Sequence, residues 1–278
     1  NTHGRRLMRM STAWIDTTRY LGRHAVVTGA SSGLGEEFAE RLAAAGAVVH
    51  LVARRADRLE GIAARLRHRY AAQVHVIAID ITAPDAVAKV RESVTNAGGR
   101  VGILVNNAGF GTFGPFEHED PERIAQEVDL NVRALTTFTR AFIDDLLAVG
   151  DGTVINVAST ASYQPVPYMA VYAATKAYVR SFTEALWGEY RRRGLRVIAL
   201  SPGPTRTEFF DVVGTDRFDV GQHLSVPQVV DRAFRELERR SPAPSVVAGL
   251  GNALGATLAR LVPRRLLIAG VAKALGEH

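Results

Sequence analysis

The stretch His24-Ala25-Val26-Val27-Thr28-Gly29-Ala30-Ser31-Ser32-Gly33-Leu34-Gly35 opens with strand-like residues, enters a glycine-rich turn and leads into a helix. A helix N-terminus holds a pyrophosphate through free backbone N–H groups and its dipole. Glycine is needed where the backbone turns tightly and approaches the ligand. Because this turn joins the first strand to the first helix, it points to a dinucleotide site built from Gly29, Ser31, Ser32, Gly33, Leu34 and Gly35.

The same alternation continues down the chain. Aliphatic or β-branched runs at 24–28, 47–52, 74–79, 101–105, 153–157 and 195–200 are separated by longer stretches with apolar residues at helical spacing. Strand, helix, strand in this order implies parallel pairing through right-handed crossovers, and continuous apolar strands suit a sheet covered on both faces. The expected fold is therefore an α/β, doubly wound parallel sheet of the Rossmann type, with helices on both faces, in a single domain. Pro84 suits the first turn of the third helix, and Gly46, Gly98 with Gly99, and Gly194 suit the left-handed ends of three others. After Leu200 the alternation gives way to a proline-rich turn, a loop to about 225, a helix over 227–240, a short strand at 246–248 and apolar helical sequence over about 250–278. No Pro/Gly/Ser linker divides residues 23–278. Residues 1–22 read as a basic leader, partly appended or disordered, with Met8 or Met10 as candidate starts.

A length of 278 residues suits one α/β domain, and 47% hydrophobic with 22% charged residues excludes disordered, collagen-like and coiled-coil classes. The net charge of +6 is carried by the ends: residues 1–24 hold +4 and residues 256–278 hold +3, leaving a body of −1. Such a distribution argues against a phosphate-backbone groove, so no nucleic-acid partner is expected. Without cysteine there is no disulfide framework or thiolate site, which fits a reducing compartment, and a cytoplasmic location is expected. The eight histidines show no ligand spacing, so no metal is expected. No apolar run reaches the roughly 20 residues that cross a bilayer.

Cofactor choice is made at the end of the second strand, where an acidic side chain selects NAD by binding the adenosine ribose. Here the strand ends Val52-Ala53-Arg54-Arg55, with no acid and two guanidinium groups suited to a 2′-phosphate. NADP(H) is expected over NAD(H). Further on, Tyr172 and Lys176 stand at i and i+4 on one helix face, where the lysine would lower the phenol's pKa. Ser159 lies just after the 153–157 strand, at the carboxyl edge of the sheet where open α/β folds bind ligands.

The TGxxxGxG pattern at 28–35, Asn106-Asn107-Ala108-Gly109 after the fourth strand and Tyr172-xxx-Lys176 together resemble the classical short-chain dehydrogenase/reductase family over roughly residues 22–210. The resemblance implies hydride transfer between NADP(H) and a carbonyl/alcohol pair. Tyr172 would be the general acid/base, Ser159 would orient the carbonyl, and Lys176 would tune the tyrosine and hold the nicotinamide ribose. Asn131 matches the asparagine that supports a proton relay; from the residues alone it is equally a kink or a buried amide. Asp80 with Ile81 matches the adenine contact, although Asp80 also suits a helix cap. Asn107, Ala108 and Gly109, and Pro202, Gly203 and Thr205, match further cofactor-bordering segments. Ala158 and Thr175 stand where the family often has serine.

Phe110, Phe113 and Phe116, residues 163–169, and Phe209, Phe210, Val212 and Val213 should surround the active site, favouring a bulky hydrophobic ketone, aldehyde or secondary alcohol. The C-terminal segment, uncharged over 245–259 and then carrying Arg260, Arg264 and Arg265, suits three roles. The first is subunit contact, because family members form homodimers and homotetramers. The others are a lid over the pocket and an interfacial helix making peripheral membrane contact. Alternative activities are a nucleotide-sensing protein without turnover and a membrane-associated lipid-carbonyl reductase.

Overall fold

The computed structural model describes residues 17–205 and 223–276. Seven parallel strands form one sheet in the order β3-β2-β1-β4-β5-β6-β7. They are β1 (His24–Thr28), β2 (Val48–Ala53), β3 (Val74–Ala78), β4 (Val101–Asn106), β5 (Thr153–Val157), β6 (Arg196–Ser201) and β7 (Ser245–Val247). The chain winds outward from β1 in one direction and from β4 in the other. The carboxyl ends of these two neighbours therefore flank the switch point where such sheets open a ligand crevice.

Every residue of β1, β2, β4 and β5 is buried, as expected of strands covered on both sides. Alternate residues serve opposite layers. Val27 and Leu51 face α1 (Gly33–Ala44), α2 (Ala56–Tyr70) and α7 (Val226–Leu237), joining a core with Phe38, Leu59 and Phe234. Val26, Leu104 and Val154 face the other way, onto Val90 of α3 (Ala86–Asn96) and Phe138 and Phe142 of α5 (Leu135–Ala148). On that face, α6 (Ala170–Tyr190) adds Leu186 and Trp187.

Several boundaries depart from the sequence expectation. Pro84 precedes α3 by two residues, and Asp85 takes the N-cap position. Gly46, Gly98 and Gly194 do take positive φ, whereas Gly99 does not. The apolar C-terminal stretch is two helices, α8 (Leu250–Leu261) and α9 (Arg264–Gly276). They part at Pro263, which has no N–H to continue α8 and holds Val262 extended at φ −75°, ψ 134°. Within residues 1–22, Tyr20 is fully buried, edge-on to Phe234 at 5.6 Å, and its hydroxyl donates to Glu238 at 3.0 Å. The folded unit thus begins before residue 23. Between α4 (Pro121–Val128) and α5, Asp129–Ala134 form a π-helical turn, a device that re-aims side chains at functional sites.

Candidate active site at the sheet switch point

Thr28, the last residue of β1, ties its strand to the end of β4. Its hydroxyl accepts from the Asn107 and Ala108 amides at 3.0 and 3.1 Å and donates to the Val105 carbonyl at 3.3 Å. In return, Asn107 Nδ2 donates to the carbonyls of Thr28 and Gly29 at 3.0 and 3.2 Å. Gly29 turns the chain at φ +65°, and a Cβ on it would sit 2.8 Å from Asn107 Nδ2. One on Gly35 would sit 2.6 Å from the same atom. These two glycines therefore let the turn close onto Asn107 and leave a cradle above it. At the N-cap of α1, the Ser32 side chain makes no capping bond, so the first-turn N–H groups stay available to an anion.

The Ser31 and Ser32 hydroxyls instead accept from Arg55, whose Nη2 reaches them at 2.9 and 2.9 Å and whose Nε reaches Ser31 at 3.1 Å. A guanidinium is thereby held over the glycine turn. Arg54 is exposed beside it on the same cleft. Asp80 does not cap a helix: its Oδ1 accepts from Thr82 N at 2.9 Å and Thr82 Oγ1 at 2.7 Å, forming a local turn on the cleft wall next to Ile81.

A cleft of about 1090 Å³ runs from this cradle to Ser159, Tyr172 and Lys176, bordered by Ala108, Gly109, Pro202, Gly203 and Thr205. Ser159 opens a 3-10 turn, its Oγ accepting from Ala161 N at 3.1 Å, and its side chain hydrogen-bonds the Tyr172 hydroxyl. Lys176 Nζ donates to the Val157 carbonyl at 2.8 Å and lies 5.8 Å from the centre of the Tyr172 ring. Asn131 is buried on the π-helical turn, behind the cleft. Its Nδ2 donates to Phe110 O at 2.8 Å and Thr175 Oγ1 at 3.1 Å, and its Oδ1 accepts from Phe110 N at 3.1 Å. Gly109 is required at this junction, since a Cβ there would sit 2.8 Å from Asn131 Oδ1 and 3.3 Å from Lys176 Nζ.

The electrostatics correct one expectation. Burial pushes the Tyr172 phenol up to about 12, opposed by its bond with Ser159, and pulls Lys176 down to about 8. Desolvation is the leading cause for both groups, so the tyrosine stands above its ordinary value rather than below it. At neutral pH Tyr172 holds its proton, the state of an acid rather than a base.

The substrate end is only partly as expected. Phe110, Tyr163, Val166 and Met169 line the cleft, and Phe113 packs behind it against Tyr168 at 6.2 Å. Phe116 is 64% exposed and points elsewhere, because it sits on a surface 3-10 turn. Phe209, Phe210, Val212 and Val213 lie outside the described residues. Among the described residues a further wall comes from α8 and α9, through Asn252, Ala256, Val271 and Leu275. Sequence reasoning also missed Thr28 and the bridging role of Thr175. The hydroxyl of Thr175 accepts from Asn131 and donates to Tyr172 O at 2.8 Å, the local signal being only its place one residue before Lys176.

A family model described as short chain dehydrogenase matches residues 23–217. The chain belongs to the short chain dehydrogenase family. Among curated relatives of this short chain dehydrogenase, a very-long-chain 3-oxoacyl-CoA reductase from Bos taurus is 31% identical over 193 residues, covering 66% of this chain and 59% of that protein. A sulfoacetaldehyde reductase from Chromohalobacter salexigens is 38% identical over 186 residues, covering 66% and 72%. The match thus spans less than two thirds of the length of the bovine relative. Among solved structures, a short-chain dehydrogenase from Sphingobium yanoikuyae in complex with NADPH superposes with a TM-score of 0.76 at 33% identity, covering 86% of this chain and 94% of that one.

Proposed function

We propose that this short chain dehydrogenase is an NADP(H)-dependent reductase of bulky hydrophobic ketones or aldehydes, working through Ser159, Tyr172 and Lys176. The observation that carries this reading is one continuous cleft, with Arg55 held over a glycine cradle at one end and a protonated, Ser159-bonded Tyr172 at the other. When bound, the reduced nicotinamide supplies hydride to the carbonyl carbon. The negative charge that develops on oxygen calls for donors there. Tyr172 gives its proton to that oxygen, and Ser159 donates a second hydrogen bond. Lys176, fixed by the Val157 carbonyl, presents its remaining N–H groups to a ribose hydroxyl and to the chain of groups that reprotonates Tyr172. Asn131 holds the Phe110 backbone and so sets the mouth of that chain. Arg55, with Arg54 beside it, pairs with the 2′-phosphate, and Asp80 with Ile81 borders the adenine.

Two similar proteins support the direction and the cofactor: the Chromohalobacter salexigens relative is named a reductase, and the Sphingobium yanoikuyae structure is a complex with NADPH. The size of the cleft and its wall of Val166, Met169, Val271 and Leu275 favour a large apolar substrate. Following NADPH absorbance with a panel of aliphatic, aromatic and steroidal ketones and aldehydes tests the proposal. Turnover of bulky members supports it, and binding of NADPH without turnover of any member supports a nucleotide-sensing protein instead.

The outer face of α8 and α9 favours a second reading, in which the substrate arrives from a lipid surface. Leu250, Leu254, Leu258, Leu261 and Leu266 are exposed there, with Arg264 and Arg265 beside them, while the opposite face lines the cleft. No helix among the described residues is long and apolar enough to cross a membrane. Sedimentation with phosphatidylcholine vesicles, with and without phosphatidylglycerol, decides it: binding that needs the anionic lipid and is lost in Leu254→Asp supports surface association. Self-association is proposed through α5 and α6, where exposed Tyr178 stacks on Phe182 at 5.8 Å and bonds Thr136 at 3.1 Å. Light scattering at a multiple of 30.1 kDa would support it.

A further inference from the structure

Helix α4 buries one residue, and it is an acid. Where an amphipathic helix would place an aliphatic side chain, Glu127 points inward with no exposed surface, one helical turn before Asn131. Its Oε2 lies 2.9 Å from Thr112 Oγ1, and the same hydroxyl lies 2.7 Å from Glu119 Oε2. Its other oxygen, Oε1, is buried with no hydrogen-bond partner among the described residues.

Counting protons decides the chemistry. Three oxygens in a row at these distances make two hydrogen bonds and need two protons, and a threonine hydroxyl brings one. The second must sit on a carboxyl. Glu127 is fully buried while Glu119 is partly open to solvent, so burial assigns the proton to Glu127. An unpartnered buried oxygen is tolerable as the carbonyl of a neutral acid and costly as half of a carboxylate. The row then runs in one direction: Glu127 donates to Thr112, and Thr112 donates to Glu119.

Thr112 sits in the loop that borders the cleft. Two residues earlier, the Phe110 backbone is held by Asn131; two residues later, Gly114 N donates to Tyr168 O at 2.9 Å. We propose that Glu127 is a positioning residue whose neutral carboxylic acid clamps the 110–119 loop against the catalytic cleft, so that ionising it releases the loop. The loop's importance to substrate rests on the function proposed above; the clamp itself does not.

The charged and titratable groups facing Glu127 are Glu119 from the loop and Tyr172 and Lys176 from α6. Desolvation, then the Glu119 charge, push its carboxyl up to about 7, opposed by the Lys176 charge and by the hydrogen bonds Thr112 can offer the ionised form. The proton is therefore held above the ordinary carboxyl range. The clamp is complete below that range and lost as pH rises through about 7. A pKa near 7 leaves roughly one molecule in ten clamped at pH 8.

Hydrogen exchange on the full chain tests this without a substrate. After correction for intrinsic exchange rates, amides of residues 110–119 should lose about tenfold of their protection between pH 6 and pH 8. Glu127→Gln keeps a donor to Thr112 that cannot ionise, so its protection should not change across that range. Equal protection of the parent at both pH values, or a Glu127→Gln profile that follows the parent, would overturn the proposal. Infrared difference spectra of the parent provide a check should the variant not fold. A protonated-carboxyl band present at pH 6 and gone well above pH 7 supports the clamp, and its absence at pH 6 refutes it. Because neither readout involves turnover, the clamp can fail while the reductase proposal stands, and the reverse.

Discussion

Replacing Arg55 by alanine should cost NADPH binding far more than NADH binding. The guanidinium is already held by the Ser31 and Ser32 hydroxyls at 2.9 to 3.1 Å, so little side-chain freedom remains to be lost when a 2′-phosphate arrives. A charge-assisted hydrogen bond of this kind contributes about 1.5 to 3 kcal/mol, which converts to about 10- to 140-fold in dissociation constant. Arg54 is exposed nearby, and Arg54→Ala should have a smaller effect in the same direction. Arg55→Lys keeps the charge but loses the fork, and should fall between parent and alanine. Titrations of NADPH and NADH by nicotinamide fluorescence would measure all four proteins. The preference should also shrink as salt is raised, since the pair is open to solvent. Equal affinities for the two cofactors in the parent, or an Arg55→Ala effect equal for both, would refute the assignment of the 2′-phosphate to this arginine.

Two further outcomes follow from packing. His24, His50 and His75 stack across β1, β2 and β3 at 5.4 and 4.8 Å, and burial pulls His50 down to about 3. A folded-state value below the ordinary 6.5 means stability is fully present above pH 6.5 and lost as pH falls. Urea unfolding should therefore show a loss of about 1.4 kcal/mol per pH unit below 6.5 from His50, absent in His50→Val; a flat profile in the parent would contradict it. Gly35→Ala places a methyl 2.6 Å from Asn107 Nδ2, so it should cost about 1 to 3 kcal/mol in stability and weaken both cofactors together, read by thermal shift and titration.

The strand-helix alternation was enough to place β1 through β6 within a residue or so, because a strand buried on both faces is mostly apolar. The glycine turn, Ser159, Tyr172 and Lys176 do line one cleft, and their placement was legible because their spacing is set by the elements that carry them. What escaped depended on contacts between distant segments. Thr28 ties β1 to Asn107 across 79 residues, and Arg55 reaches Ser31 across 24. Nothing local to α9 signals that Leu275 packs on Tyr172. Lys176 at i+4 from Tyr172 is visible in the sequence, whereas the burial that pushes the phenol up is not. Nothing in the local sequence marks Glu127 as the buried residue of α4.

The central claim is that Tyr172 is the proton donor at a cofactor-filled cleft, and Tyr172→Phe tests it most directly. The substitution keeps the ring and its packing while deleting the hydroxyl. Turnover of whichever carbonyl compound the panel identifies should fall by about 10²- to 10⁴-fold, with NADPH affinity and thermal stability close to those of the parent. Near-parent turnover in the phenylalanine variant, with NADPH still bound normally, would mean that the proton comes from another group and that the mechanism described for this cleft is wrong.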